Sequence, residues 1–443
     1  MPRVPRLLGM VLGAILCLAP PAALAVLIDR FGVNLPHTDQ WELVPLMQKQ
    51  DHAGFSLTDF FAQHGEQRIV FPRLLMLALA PLTNWNIRVE LFVNFLLAAA
   101  IFLILVRLLA DTLSALGRWL MVPAACASLM IFSPVQWENL LWGWAISWFL
   151  PLLTFLIAVT ALAKWPEDRP AWPAVLIAVA AAVLSQYSLF HGTLTWISCI
   201  PILIVRKYLR KFIGVWVLAG VAFTALYLYG RHPSHWEGFY ASPHSLVRDP
   251  RMAFEYLSYY LGRPVLDLDP SFWVGTMLVV LFILSTILLL VVRRDRLESG
   301  VIWFSIGCYA LLTAVMTMLG RLKLGLGNAG ASRYTTIGIL LMLSTAALIS
   351  LLLASSRAGS SLRVVAVTGV WLVLGAAFLA DYPSEVASMR QAYVQRLDSK
   401  QCLLRVTSAD DPCLTLAYPD KHVAFRRSLY LKDMGWGGLT RAP

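Results

Sequence analysis

Charged side chains are scarce in this 443-residue chain. Asp, Glu, Lys and Arg make up 14% of it, against roughly 25% in an ordinary soluble protein. With 58% hydrophobic residues and a mean hydropathy of +0.68, that scarcity excludes both a soluble globular enzyme and a disordered chain, and leaves lipid as the main solvent. Cysteine is sparse too: six residues are too few for a disulfide scaffold. No Gly-rich phosphate loop, low-complexity tract or internal repeat is visible. The lack of a repeat counts against transporters built from inverted repeats. What is abundant is aromatic: sixteen Trp and fourteen Tyr suit a protein with two membrane interfaces to line.

A membrane-crossing helix needs about 20 apolar residues. The sequence predicts an all-α, polytopic membrane protein with about eleven such helices: Leu7–Ile28, Leu91–Val106, Trp119–Phe132, Trp144–Ala163, Ala171–Tyr187, Leu189–Val205, Phe212–Tyr229, Phe272–Val292, Val301–Gly320, Thr335–Leu353 and Val364–Ala380. The first follows Arg3 and Arg6 and reads as a retained anchor rather than a cleaved signal. Ala171–Val205 contains no charged residue, so it is one long helix or a hairpin. A hairpin turning near Phe190-His191-Gly192 puts Arg206, Lys207, Arg210 and Lys211 on the same side as the N-terminus, as the positive-inside rule asks.

On that topology the cytoplasmic segments hold 15 Lys/Arg and 5 Asp/Glu, and the remainder holds 21 and 20. The net charge of +11 is then topogenic, and no nucleic-acid partner is expected. The reading places the N-terminus in the cytoplasm and the C-terminus outside. It divides the chain into a membrane domain, 1–380, and an extracytoplasmic tail, 381–443. Two large external loops lie within the first part, 29–87 and 230–270. In the first loop, Ile69–Leu82 is apolar but interrupted by Pro72, Arg73 and Pro81, and is read as an interfacial or re-entrant helix. All eight histidines fall outside, so chemistry is expected on that side.

Cys17, Cys126, Cys199 and Cys308 lie in predicted spans and read as small apolar fillers. Cys402 and Cys413 flank the polar Asp410-Asp411-Pro412 turn of the tail, where an oxidising compartment would let them form a disulfide.

Two stretches of the first loop concentrate reactive groups. In His37-Thr38-Asp39-Gln40-Trp41-Glu42, Asp39 and Glu42 are spaced i, i+3 and would share a helix face; the alternative is a helix cap followed by a Glu. His64-Gly65-Glu66-Gln67-Arg68, followed by Phe71-Pro72-Arg73, brings imidazole, acid and guanidinium together. Arg offers a planar fork of donors suited to phosphate oxygens; the alternative is a hydrated helix start with surface ion pairs. Trp137 and Glu138, His191 at the hairpin, and Arg321, Lys323, Arg333 and Tyr334 in a late loop stand on the same predicted side. In the loop 230–270, His232 and His235 are spaced i, i+3, but Pro233 between them breaks the helix a shared metal would need.

The stretches 37–42 and 64–73, with Asn84-Trp85-Asn86-Ile87-Arg88 and Ala331-Ser332-Arg333-Tyr334-Thr335-Thr336, resemble a bacterial branch of the GT-C class of integral-membrane glycosyltransferases. The resemblance runs from the first span to the tail. It implies transfer of a sugar from a polyprenyl-phosphate carrier in the membrane to an extracytoplasmic glycan or lipid acceptor. It further implies that Asp39, with Glu42 behind it, is the catalytic or metal-associated acid. Asp39 is flanked by Thr38 and Gln40 rather than by a second acid, so use of a divalent metal such as Mg or Mn stays open, and no other cofactor is expected. With inversion in one displacement, Asp39 would act as general base. Arg68, Arg73 and Arg333 would bind phosphate, and Trp41 and Trp137 would stack on sugar rings; His64, Glu66, Glu138, His191 and Tyr334 complete the expected substrate site. A transporter or flippase of lipid-linked glycan, a polymerase or ligase of surface polysaccharide, and a non-enzymatic membrane subunit are the competing readings.

Overall fold

The computed structural model describes residues 3–166, 168–234, 238, 240–242, 244, 248–265, 269–356 and 359–439. Among them there is no β-strand, and the chain is a bundle of helices joined by short turns. Among the described residues, nine helical segments are long and apolar enough to cross a membrane: Val11–Phe31, Ile87–Thr112, Ser114–Leu141, Gly143–Lys164, Arg210–Leu228, Ser271–Val292, Arg294–Leu324, Ser332–Ala354 and Ser360–Arg405. Outside water, a helix satisfies its own backbone polar groups. The proline pair Pro20-Pro21 and the isolated Pro151 sit inside helices without ending them.

Ala171–Val205, predicted as two spans, is a hairpin of two shorter pieces, Trp172–Gln186 and Phe190–Val205. The reversal falls at 187–189, earlier than the predicted Phe190-His191-Gly192. Gly192 lies against the Ser185 carbonyl, a contact that leaves no room for a Cβ and closes the hairpin tightly. Val70–Thr83 is helical where an interfacial helix is expected. Its 14 residues span about 21 Å at 1.5 Å per residue, short of the hydrocarbon thickness of about 30 Å.

Part of the second loop is helical. Pro250–Gly262 forms a helix capped by the Asp249 side chain, and it packs on the following helix at Gly262 and Gly275, where small residues let the backbones touch. His232 is described, whereas His235, Trp236 and Glu237 fall outside the described residues.

The last long helix, Ser360–Arg405, has 46 residues, about 69 Å, more than twice the hydrocarbon thickness. It runs through Tyr382-Pro383 without stopping. Its second half buries one stripe, Glu385, Met389, Ala392, Arg396, Ser399 and Leu403, the spacing of a packed helix face. Cys402 and Cys413 are joined by a disulfide with Cα atoms 5.9 Å apart, which turns the chain back into the short helix Pro412–Leu416. Lys421–Met434 follows, its N-terminus capped by Asp420.

Ion pairs at one end of the bundle fasten its turns. Lys164 meets Asp111 at 3.2 Å, and Arg206 meets Glu298 at 3.1 Å. The first loop and the C-terminal segment cover the other end.

Candidate functional site: a walled cavity at one end of the bundle

A cavity of about 810 Å³ opens where the first loop, the ends of several long helices and the C-terminal segment converge. Its first wall is the 3₁₀ helix Thr38–Leu43. The Gln40 side-chain amide ties this helix to its own N-cap and to a neighbouring helix. Its Oε1 accepts from the His37 N–H at 3.2 Å, and its Nε2 donates to Glu90 Oε2 at 2.6 Å. Glu90, fully buried at the start of the Ile87–Thr112 helix, also accepts from Trp85 Nε1 at 3.0 Å. Gly143 presses against this pair so closely that a Cβ there would strike the Glu90 carboxylate. The His37 carbonyl accepts from Trp142 Nε1 at 3.0 Å. Thr38 is thereby held at φ 45°, a conformation a β-branched residue rarely adopts.

This clamp sets Asp39 on the cavity wall, where its side chain keeps 45% exposure. His64 Nε2 lies 3.9 Å from Asp39 Oδ1, with the His64 ring 4.7 Å from that of Trp144. His64 is presented by a tight turn in which His64 and Gln67 exchange backbone hydrogen bonds around Gly65, at φ 54°. The crowded wall shields both groups from part of the solvent. Burial raises the Asp39 pKa against the pull of His64 and Arg333, with Glu42 and Glu66 adding to the rise. Burial lowers that of His64 against the pull of Asp39. Burial thus favours the neutral form of each group and moves their two pKa values toward each other.

The remaining walls come from the rest of the first loop, the segment 137–148 and the late helices. Glu66 is bound by Arg321. Glu138 accepts the Arg333 N–H at 2.7 Å and Arg333 Nη1 at 3.3 Å, and the Arg333 guanidinium lies over the Tyr334 ring, 5.0 Å from its centroid. Trp137, Trp142, Trp144 and Trp148 supply aromatic surface, and Thr415 and Leu416, beyond the disulfide, close one side. Of the residues expected from sequence, Asp39, His64, Glu66, Trp137, Glu138, Arg333 and Tyr334 line this cavity.

Others stand elsewhere. Glu42 points to the C-terminal segment, where Arg427 grips both carboxylate oxygens at 2.9 and 3.2 Å and the Tyr418 hydroxyl donates to it. It shares the short helix with Asp39 but not the cavity. Burial opposes ionisation of Glu42, but the hydrogen bonds from Arg427 and Tyr418 outweigh it and hold its pKa below the ordinary value. Trp41 is 0% exposed in the core, so it cannot stack on a ligand. Arg73 is buried and donates through Nη1 to the carbonyls of Asp59, Phe60 and Ala62 at 2.8–2.9 Å. It caps the helix Leu57–Phe61 rather than facing a phosphate. Arg68 braces two loops, donating to the Phe61 carbonyl at 3.0 Å and the Tyr229 carbonyl at 2.6 Å. His191 is buried behind Trp148, with ring centroids 5.4 Å apart. His232 does not offer its backbone to a ligand: Gln63 takes its N–H at 3.0 Å and donates to its carbonyl at 2.8 Å.

The sequence reading missed Arg396, which lines the cavity together with Ala392 and Gln395. Arg396 occupies a position in the buried stripe of its helix where an apolar residue is expected. Among the described residues, no three His, Cys, Asp or Glu side chains are grouped to hold a metal ion, and Glu66 and Glu138 are each engaged by an arginine. No protein-family model matches the chain. No curated protein and no solved structure matches it either.

Proposed function

We propose that this cavity transfers a sugar from a polyprenyl-phosphate carrier to an extracytoplasmic acceptor hydroxyl. The observation that carries the reading is the placement of Asp39. It is a carboxylate with a raised pKa, beside an imidazole, on the wall of an aromatic cavity that also holds three guanidinium-bearing residues. In the proposed step, the acceptor oxygen attacks the anomeric carbon and its proton passes to the Asp39 carboxylate. The bond from the anomeric carbon to the phosphate oxygen breaks, its electron pair leaves with the phosphate, and the sugar inverts. Positive charge on the late-helix wall answers the negative charge developing on the phosphate. Trp137, Trp142 and Trp148 offer faces on which sugar rings stack. Arg68, Arg73, Trp41, Glu42 and His191 take no part.

The same proposal covers the topology. Nine crossings, or eleven if both arms of the Trp172–Val205 hairpin cross, give the same parity. The N-terminus is then cytoplasmic, and the cavity and C-terminus are extracytoplasmic in a bacterial inner membrane. The disulfide between Cys402 and Cys413 supports an oxidising side for the tail.

The test is a transfer assay. Full-length protein in lipid receives radiolabelled polyprenyl-phosphate sugars, with and without EDTA, beside an Asp39→Asn variant. Wild type should consume one donor, and Asp39→Asn should lose about 10²- to 10⁴-fold in rate, the usual contribution of a general base. Full activity in a folded Asp39→Asn protein would remove the base assignment. No turnover of any donor by folded wild type would sink the reading and favour flipping of lipid-linked glycan.

A further inference from the structure

Asn328 also lines the cavity. It belongs to the short helix Leu326–Ala329 in the late loop. Two tyrosine hydroxyls donate to its Oδ1, that of Tyr256 at 3.0 Å and that of Tyr334 at 3.3 Å. Tyr256 comes from the Pro250–Gly262 helix, and Tyr334 from the turn that opens the Thr335–Ala354 helix. Both tyrosines are buried, so each hydroxyl needs an acceptor. Among the described residues neither hydroxyl donates elsewhere.

Those two bonds fix the amide. With its carbonyl oxygen turned to two buried hydroxyls, Nδ2 faces the other way, and among the described residues no protein atom accepts from it. Asn328 is half-buried, so its two N–H donors open on the cavity instead of being sealed in the wall. An acceptor oxygen alone would serve the tyrosines; the amide adds donors that the packing does not use. These donors differ from the guanidiniums of Arg321 and Arg333, which are charged and engaged by acids. An uncharged donor held in one orientation suits an uncharged oxygen, and little ordering is left to be done when the ligand arrives.

We infer that Asn328 is a specificity-determining residue that donates from Nδ2 to one hydroxyl oxygen of the bound sugar, with Tyr256 and Tyr334 as the positioning residues that hold its amide. The open donors call for an acceptor oxygen. That this oxygen belongs to a sugar rests on the sugar-transfer reading. A site built to hydrogen-bond a hydroxyl rejects the analogue that lacks it, because the site's own polar group is then left unpaired.

The test measures discrimination between sugars, not turnover. Full-length protein in phosphatidylcholine nanodiscs is titrated with the methyl glycosides of glucose, galactose, mannose and N-acetylglucosamine, and followed by the fluorescence of the cavity tryptophans. The tightest binder is then compared with its monodeoxy analogues. Wild type should bind one analogue about tenfold or more weakly than the parent glycoside. Asn328→Asp keeps an oxygen for both tyrosine hydroxyls and removes the N–H donors. It should melt as wild type does, and bind the parent and that analogue about equally. Tyr256→Phe, which releases one side of the amide, should keep part of the discrimination.

Unchanged discrimination in Asn328→Asp would overturn the assignment, because a side chain that only ties two tyrosines together predicts no change. So would an Asn328→Asp protein that fails to fold or melts well below wild type, since the amide would then be a structural group. Folded wild type that binds none of the glycosides would overturn it too. Discrimination lost at every hydroxyl alike would overturn the assignment to one oxygen. A protein that reads a hydroxyl through Asn328 but transfers no sugar from any polyprenyl-phosphate donor leaves this site standing and removes the transferase reading. Asp39-dependent transfer with unchanged discrimination in Asn328→Asp does the reverse.

Discussion

Arg68 and Arg73 belong to the first loop; Arg321, Arg333 and Arg396 belong to late helices. The first two are surrounded by backbone carbonyls left over at chain turns: those of Asp59, Phe60 and Ala62 for Arg73, and of Phe61 and Tyr229 for Arg68. The other three line the cavity, two against acids and one against a single carbonyl. At these turns of the first loop the guanidiniums are the donors that those carbonyls receive. The late helices satisfy their own backbones, which frees their arginines to face the cavity. Nearness to a motif is thus a poor guide to which arginine meets a ligand, and the backbone's unmet hydrogen bonds are a better one.

The largest expected effect tests that contrast. Arg73→Ala removes a buried cation from three carbonyls and should lower stability by roughly 3 kcal/mol, on the scale of charged hydrogen bonds. Arg333→Ala, at a partly open ion pair, should lower it by about 1 kcal/mol. Melting of both variants in the same lipid checks the order, and an Arg333→Ala protein that melts below Arg73→Ala would erase the distinction. Next is the disulfide. Cys402→Ser with Cys413→Ser opens a loop of 11-residue separation, a loss of about 2–3 kcal/mol in the chain-entropy account. That loss should be local, because Glu42 still grips Arg427. Limited proteolysis should then cut near 406–416 while the helical bundle stays intact. An unchanged digestion pattern would show that the cavity wall at Thr415 and Leu416 does not depend on the bond.

Much of this was legible in the sequence, for reasons that differ by element. The long helices follow from uninterrupted apolar runs, because lipid leaves the backbone few alternatives. Cys402 and Cys413 were readable from a polar turn between two cysteines. Asp39 and His64 were readable as reactive groups in one loop. Which neighbour joins them was not. Residues 39, 40 and 41 point respectively to the cavity, to Glu90 and into the core, and only the fixed 3₁₀ geometry sorts them. Arg396 was missed because it stands among other polar and charged residues, Arg390, Gln395, Asp398 and Lys400, where one more charge carries no signal, and Glu90 because it lies beside Arg88 at the edge of an apolar run. The continuous helix through Tyr382-Pro383 was obscured because the onset of charge at Asp381 looks like the end of an element.

Arg68 gives a smaller effect than Arg73. Its two carbonyl bonds are at an exposed junction, so Arg68→Ala should lower stability by about 1 kcal/mol. Its signature should be faster hydrogen exchange at Tyr229 and Gly230, where the first and second loops meet. Unchanged exchange there would mean that Gln63, through its two bonds to His232, holds the junction alone.

The smallest effect is a pH dependence at the contact between the first loop and the C-terminal segment. Glu42 ionises more readily in the folded protein than its ordinary value of 4.5, because Arg427 and Tyr418 outweigh burial. A carboxylate with a depressed folded pKa stabilises the fold above its unfolded pKa, and that contribution fades as pH falls through the folded value. Wild type should therefore melt above Glu42→Gln at pH 7, by an amount equivalent to about 1 kcal/mol or less for a partly exposed pair. The two curves should converge as the pH falls through the folded Glu42 pKa. Asp39, three residues away, has the opposite sign. Burial raises its pKa, so ionisation at neutral pH works against the fold, and Asp39→Asn should melt no lower than wild type at pH 7 and lose any advantage in acid. If both variants shifted stability in the same direction with pH, the two acids would share one environment, and the division of this short helix into a cavity side and a clamped side would fail.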